Sequence, residues 1–106
     1  MSELENVKSV KLINDIDYQP NSIVSKQIIK KPNGNVTLFA FDKAESLSEH
    51  TSPFDALVYM VDGMMEIKIG RKPFEVKGGE YILLPANIPH GLIAVEKSKM
   101  LLTMIK

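Results

Sequence analysis

The stretch that decides the fold is Ser46–Gly63, which reads SLSEHTSPFDALVYMVDG. It contains His50, one of two histidines in the chain, then a kink at Pro53 and an apolar strand that ends at Asp62-Gly63. Asp-Gly is a favoured dipeptide in two-residue β-hairpins, so we predict a hairpin at this turn. The second histidine, His90, follows another strand and a proline-containing loop. The two histidines therefore stand in two similar strand–loop units.

Short segments of alternating polar and apolar residues lie on both sides of this stretch, separated by turn signals. One clear turn signal is Pro32-Asn33-Gly34-Asn35, because proline presets one φ angle and glycine accepts a positive one. It predicts a hairpin between strands Ile23–Lys31 and Val36–Phe41. About nine or ten short strands and no long helix indicate an all-β fold, an antiparallel sandwich or barrel. The other predicted strands are Lys8–Ile13, Met64–Ile69, Phe74–Val76, Tyr81–Leu84, Gly91–Val95 and Met100–Ile105.

The composition sets limits on the class of protein. With 106 residues, 44% apolar and 25% charged, the chain is predicted to form a single globular domain over residues 1–106. Thirteen basic and thirteen acidic residues cancel without a basic block, so no nucleic acid is expected as a partner. The absence of cysteine excludes disulfides and thiolate chemistry. Because the first residues are acidic and no apolar run approaches the ~18 residues of a membrane span, we expect a cytoplasmic location and no membrane partner.

Two spaced motifs resemble those of a known family. If the last glycine of the family's first motif is placed at Gly63, the first motif histidine falls at His50. In the second motif Gly79, Pro85 and His90 fall at the required spacing. The chain therefore resembles a small single-domain cupin of the RmlC-like type. This resemblance implies an antiparallel jelly-roll β-barrel, or double-stranded β-helix, over roughly residues 35–105, preceded by the strands and turn of residues 1–34.

The chain also departs from the family pattern at several motif positions. The family's metal centre uses three histidines and one glutamate that point into the barrel. Of these four ligands the alignment retains two histidines. The departures are Ser52 at the second histidine, Ala56 at the glutamate, Ala44 and Asn87 at two glycines, and Ala94 at the asparagine.

These positions define the candidate site. His50 and Ser52 are two apart on a strand and should share a face, with His90 close by. We predict a ligand pocket inside the barrel, and a divalent transition metal (Fe, Ni, Zn or Mn) is one possible cofactor held by the two imidazoles. Alternatively, the imidazoles bond to each other, to water or to a ligand, without metal. The predicted pocket residues are His50, Ser52, Ala56, Val58, Met60 and His90.

The function predicted from these residues is that of a small-molecule-binding cupin of unassigned ligand. The alternative is a metal-dependent enzyme of the dioxygenase or isomerase type that uses an incomplete two-histidine site. A third interpretation is metal-free acid–base chemistry like that of sugar epimerases, with Tyr59 or Tyr81 as the acid. The central strand is apolar on both faces, and Leu57, Tyr59 and Val61 on one face need a cover. Together with the resemblance, this predicts a homodimer.

Overall fold

The computed structural model describes residues 3–106, which form two antiparallel sheets and two short 3-10 helices, Glu3–Asn6 and Leu12–Asn14. The five-stranded sheet has the order β1-β2-β9-β4-β7, and the four-stranded sheet has the order β3-β8-β5-β6. The strands are β1 Ile23–Lys31, β2 Gly34–Phe41, β3 Ser46–His50, β4 Asp55–Asp62, β5 Met64–Ile69, β6 Lys72–Lys77, β7 Tyr81–Leu84, β8 His90–Ala94 and β9 Ser98–Ile105.

This strand order is that of a jelly roll. The chain crosses from one sheet to the other after β2, β3, β4, β6, β7 and β8, and stays within a sheet at the β1–β2 and β5–β6 hairpins. The predicted all-β jelly roll without a long helix is confirmed for residues 3–106. Within the same residues, no helix has the length and apolar character needed to cross a membrane.

Three local predictions were wrong. Ser52 does not share a strand with His50, because β3 ends at His50 and Ser52 lies in the loop that follows. Lys8–Ile13 is not a strand, because it finds no partner strand and runs instead as irregular chain into the helix Leu12–Asn14. Asp62-Gly63 is not a hairpin, because β4 and β5 belong to different sheets. At this corner Gly63 has a φ of 86°, and a side chain there would collide with the backbone oxygen of Lys97. Glycine is therefore required at position 63 because the chain passes close to Lys97 as it crosses from one sheet to the other, and not because of a hairpin turn.

The core lies between the inner faces of the two sheets. Along β4, Val58 and Met60 point inward and are fully buried, whereas Leu57 and Tyr59 point outward and are half-buried. This strict alternation follows from the two-residue period of a strand. The largest fully buried side chains of the core are Phe41, Met60, Met65, Ile67, Met100 and Val58.

The outer face of the five-stranded sheet is divided into two halves. One half is covered by the N-terminal segment, residues 12–18, which packs Ile16 on Leu38 and Ala40. Tyr18 anchors this segment by donating a hydrogen bond from its hydroxyl to the carboxylate of Asp62 at 3.0 Å. The other half, which we call the open half, has no cover within residues 3–106. It consists of Leu57, Tyr81, Leu83, Thr103 and Ile105.

Candidate functional site

A β-bulge turns His50 into the barrel. Strand β3 pairs Leu47 with Leu92 and then His50 with His90, so β3 has one more residue than β8 over this interval. Without the extra residue, His50 would point outward, since Leu47 points inward. Gly91 lies opposite the bulge, and a side chain there would begin 3.3 Å from the backbone nitrogen of Glu49. Glycine at this position therefore lets the bulge pack closely.

The bulge places the two imidazole rings side by side on neighbouring strands of one sheet. Their centroids are 4.4 Å apart, and their planes meet at 67°. His90 is buried, with 7% of its surface exposed, whereas His50 is exposed at the barrel mouth. The pair therefore links the interior of the barrel to solvent.

The backbone determines the tautomer of each ring. His50 Nδ1 lies 2.8 Å from the carbonyl oxygen of Ser48, and His90 Nδ1 lies 3.2 Å from that of Ile88. A carbonyl oxygen can only accept, so Nδ1 is the donor in both rings. In the neutral imidazole Nε2 is then a hydrogen-bond acceptor, and within residues 3–106 neither Nε2 has a partner. The site thus offers two neighbouring acceptors to an incoming molecule.

Burial holds His90 in its neutral form. Its pKa is lowered below the usual value because the charged ring is removed from water, and the neighbouring His50 lowers it further. The Ile88 carbonyl opposes this by favouring the protonated ring, but the net direction is downward. A neutral His90 keeps the lone pair of Nε2 available at neutral pH.

The two rings line a cavity of about 60 Å³, which we call the histidine cavity. Of the six residues predicted for the pocket, Met60 does not line the cavity and is buried deeper in the core. The alternation of Met100, Leu102 and Met104 along β9 could have indicated three further wall residues. The cavity is lined by Leu47, His50, Ser52, Ala56, Val58, Leu84, His90, Leu92, Met100, Leu102 and Met104.

Hydrogen bonds tie together the loops at the mouth. The Ser52 hydroxyl accepts from the backbone N–H of Phe54 at 3.2 Å, and the Ser52 carbonyl accepts from that of Asn87 at 2.7 Å. The carboxylate of Asp55 accepts from the backbone N–H of Ala86 at 2.9 Å. Asp55 thus braces the loop and does not join the histidines.

Comparison with known proteins identifies the family. A family model described as "Cupin domain" matches residues 37–106. The chain belongs to the cupin family. No protein of curated function matches it.

Solved structures agree with this assignment. A conserved protein of unknown function from Streptococcus pyogenes is 33% identical, with a TM-score of 0.90, covering 93% of this cupin and 87% of that chain. A Cupin 2 conserved barrel domain protein from Leptotrichia buccalis is 46% identical, with a TM-score of 0.81. That match covers 86% of this cupin but 44% of the Leptotrichia chain. An RmlC-like cupin from Desulfovibrio desulfuricans, 22% identical over 93% of this chain and 96% of its own, shares the fold with a TM-score of 0.80.

The side chains of this cupin do not fit the four-ligand metal centre that the family resemblance implies. Residues 3–106 contain no group of three or more His, Cys, Asp or Glu side chains arranged to hold a metal ion. Protein metal sites generally use three or four protein ligands, and here two imidazoles stand beside a hydroxyl and the methyl group of Ala56.

The tyrosines considered for acid–base chemistry lie elsewhere. Tyr59 and Tyr81 are cross-strand partners on β4 and β7 and point to the outer face of the five-stranded sheet. The sheet separates them from His50 and His90. The epimerase-like pairing of histidine with tyrosine is therefore not formed in this cupin.

Two positions that align with motif glycines have left-handed backbone conformations. Ala44 and Asn87, which occupy two glycine positions of the motifs, have φ angles of 72° and 65°. This left-handed region favours glycine, although asparagine tolerates it better than alanine does. Ala44 in particular therefore adopts a conformation that its side chain disfavours.

Proposed function

We propose that this cupin binds a small molecule at the barrel mouth and recognises it through hydrogen bonds accepted by Nε2 of His50 and His90. The observation that carries the proposal is the shared tautomer, in which both Nδ1 atoms are committed to backbone carbonyls. Two adjacent acceptors suit a ligand with neighbouring hydroxyl or N–H donors. The apolar cavity walls around a few polar groups resemble small-molecule sites in general.

The test uses the two rings as reporters. Long-range ¹H–¹⁵N correlation spectra separate Nδ1 from Nε2, and the chain has only two histidines to assign. Wild-type protein is titrated with urea, ethylene glycol and catechol, which are small neutral compounds with paired donors. We expect at least one of them to shift both Nε2 resonances saturably, while the Nδ1 resonances move less.

Two variants complete this test. The shifts should disappear in His50→Ala and persist in Tyr81→Phe, which alters an exposed ring on the outer face. The proposal is overturned if no compound moves either Nε2. It is also overturned if protein made without a His-tag carries a stoichiometric transition metal that His50→Ala removes, which would favour the metal-dependent alternative.

We also propose that two copies associate through the open half of the outer face. Tyr81, Leu83 and Ile105 are 65%, 58% and 61% exposed there, and they form one continuous apolar patch with Leu57. Contiguous exposed apolar patches of this kind mark interaction sites. Because the same patch would meet itself, the dimer would have twofold symmetry.

A further inference from the structure

The histidine cavity is too small to enclose a drug-sized ligand. Its volume is about 60 Å³, whereas pockets for small molecules measure roughly 300–1,000 Å³. A molecule that reaches the histidines must therefore keep most of its body outside the cavity. The charge and shape of the surface next to the mouth then determine which class of ligand can bind.

The inner face of the five-stranded sheet continues past the cavity to a lysine. The strand register places Ala56 beside Met104, Met104 beside Asn35, and Asn35 beside Lys30. Residues directly opposite in neighbouring strands share a face, so this row runs on one side of the sheet. Ala56 and Met104 form cavity wall, and Lys30 lies two strands beyond Met104, about 10 Å away at the usual strand spacing.

At the end of this row lies a groove of about 310 Å³, which we call the lysine groove. It is lined by Lys30, Lys31 and Lys106 and by no Asp or Glu residue. Lys30 lies on the inner face beside Asn35, whereas Lys31 lies opposite Gly34, on the other face at the end of the hairpin. The single ion pair within residues 3–106 joins Lys26 to Asp15, so the three ammonium groups have no carboxylate partner there. The groove is lined by Lys30, Lys31, Pro32, Gly34, Asn35, Phe54, Met104 and Lys106.

Two contacts connect the lysine groove to the histidine cavity. Met104 lines both of them. Phe54 lines the groove, and its backbone N–H donates to Ser52, which lines the cavity. Lys106 Nζ lies 5.3 Å from the centre of the Phe54 ring, which holds this ammonium group over the mouth loop.

Two other surface grooves do not reach the histidines in this way. A groove of about 500 Å³ shares Leu47 and Leu92 with the cavity, but both side chains point inward, so the four-stranded sheet lies between. It also mixes Glu49 and Glu66 with Lys68. A groove of about 360 Å³ lies on the open half of the outer face. The lysine groove is therefore the one that continues the inner face.

We propose that the lysine groove binds an anionic group, a carboxylate or a phosphate, of the same small molecule whose hydroxyl or N–H donors reach His50 and His90. This inference rests on the proposed function, since it extends that ligand outward from the histidines. Lysines that line one groove without a carboxylate partner in residues 3–106 concentrate positive potential in a chain of zero net charge. Lysines act on such groups as flexible point charges and bind either oxyanion.

The test is a titration with inorganic phosphate and, separately, with acetate, followed through backbone amide resonances. It is done at an ionic strength of about 10 mM, where screening between exposed charges is weak. We expect saturable shifts at Gly34, Asn35 and Phe54. Stronger binding of phosphate would support a phosphate-bearing ligand, and equal binding of acetate would support a carboxylate; either result supports an oxyanion site.

Matched double variants show whether the lysines are responsible. Lys30→Gln/Lys106→Gln should weaken anion binding at least about tenfold, because it removes two of the three charges. Lys68→Gln/Lys72→Gln removes the same charge from the four-stranded sheet, and its effect should stay below about twofold. Both variants alter exposed residues, and a circular dichroism spectrum equal to that of wild type confirms folding.

The proposal is overturned if neither anion gives saturable shifts, or if the two double variants weaken binding equally. Its failure is distinguishable from failure of the proposed function. The neutral compounds report on the histidine rings alone, and phosphate binding should survive in His50→Ala, which leaves every lysine in place. Loss of the neutral-compound response with retained phosphate binding would reject the histidine site without rejecting the groove.

Discussion

The two faces of the five-stranded sheet come from the same strands but have different surroundings. On β4 the inward residues Val58 and Met60 are fully buried, while Leu57 and Tyr59 face outward and are half-buried. The inner face lines the apolar core and one wall of the histidine cavity, across from His50 and His90 of the four-stranded sheet, and continues to Lys30. The outer face is mostly apolar, although Lys26, Asp55 and Thr103 also lie on it, and one half is covered by the N-terminal segment. Alternation thus gives each strand two independent surfaces, and substitutions on one face should spare the other.

The largest effect is expected on the open half of the outer face. Leu83→Lys would place a charge on each side of the proposed twofold interface, and burying unpaired charges costs several kcal/mol. We expect the dimer dissociation constant to rise at least about 1,000-fold, measured by analytical ultracentrifugation. The histidine resonances should not change, since Leu83 lies on the other side of the sheet.

Ile93→Lys is the control for this substitution. Ile93 is 42% exposed on the outer face of the four-stranded sheet, so the added charge there should leave dimerisation unchanged. A wild-type chain that is monomeric at micromolar concentration, or a Leu83→Lys variant that still dimerises, would refute the assignment of the open half as an interface.

The next largest effect is expected on the covered half. Ile16 is 7% exposed and packs on Leu38 and Ala40. Ile16→Ala should lower the free energy of unfolding by about 2–4 kcal/mol, because it leaves a cavity between the N-terminal segment and the sheet. Urea unfolding measures the loss. Val10→Ala is the control, because Val10 is 52% exposed, and it should change the free energy of unfolding by less than about 0.5 kcal/mol. Equal losses in both variants would mean that the N-terminal segment does not pack on the sheet as described.

Which residues share a face of a strand can largely be predicted from the sequence. The alternation along Val36–Phe41 and Met64–Ile69 sorts the residues into two faces correctly, because side chains alternate in strands. It does not tell which face of Val36–Phe41 is inner, since both Leu38 on one face and Phe41 on the other are buried. The motif spacing that places His50 and His90 in equivalent loops predicts the jelly roll. Local pattern and spacing were sufficient here because each feature depends on a few neighbouring residues.

Other features depend on distant partners and could not be predicted. Alternation in Lys8–Ile13 does not distinguish a strand from an irregular segment without a neighbour to pair with. Asp62-Gly63 does not reveal which sheet the next strand joins. The bulge that turns His50 inward has its glycine at Gly91, on the opposite strand. The lysine groove brings together Lys30 and Lys106, which are far apart in the sequence, so no local pattern indicates it.

A smaller effect concerns Tyr18, which anchors the N-terminal segment on the covered half of the outer face. Tyr18→Phe removes the hydrogen bond to Asp62 but keeps the ring that packs beneath Lys99, whose Nζ is 4.9 Å from its centre. We expect a loss of about 1–1.5 kcal/mol in urea unfolding, because the lost bond is made to a charged group. Tyr81→Phe, on the open half, should have almost no effect on monomer stability. Equal effects would contradict the role of Tyr18 as an anchor.

A still smaller change is expected at a corner between the sheets, where neither face is altered. Ala44 has a φ of 72° and donates its backbone N–H to the carbonyl of Ala94 at 2.8 Å. Ala44→Gly removes the steric cost of the left-handed conformation and should raise the free energy of unfolding by about 0.5–1 kcal/mol. Asn87→Gly should stabilise less, since asparagine tolerates this region. Destabilisation by Ala44→Gly in urea would contradict the strain.

The smallest effect tests the buried histidine on the inner face of the four-stranded sheet through its pH dependence. Because the folded-state pKa of His90 is lowered by burial and by His50, the unfolded chain binds more protons than the folded chain at mildly acidic pH. Stability is therefore complete above the unfolded pKa of about 6.5 and decreases as the pH falls through the folded value. Urea unfolding between neutral and mildly acidic pH should show this decrease in the wild type and a weaker one in His90→Gln. The Leu83→Lys variant, expected to be monomeric, should keep the wild-type pH dependence of stability, and the Leu83→Lys/His90→Gln double variant should show a weaker one. A pH dependence that disappears in Leu83→Lys alone would instead place its origin on the outer face of the five-stranded sheet.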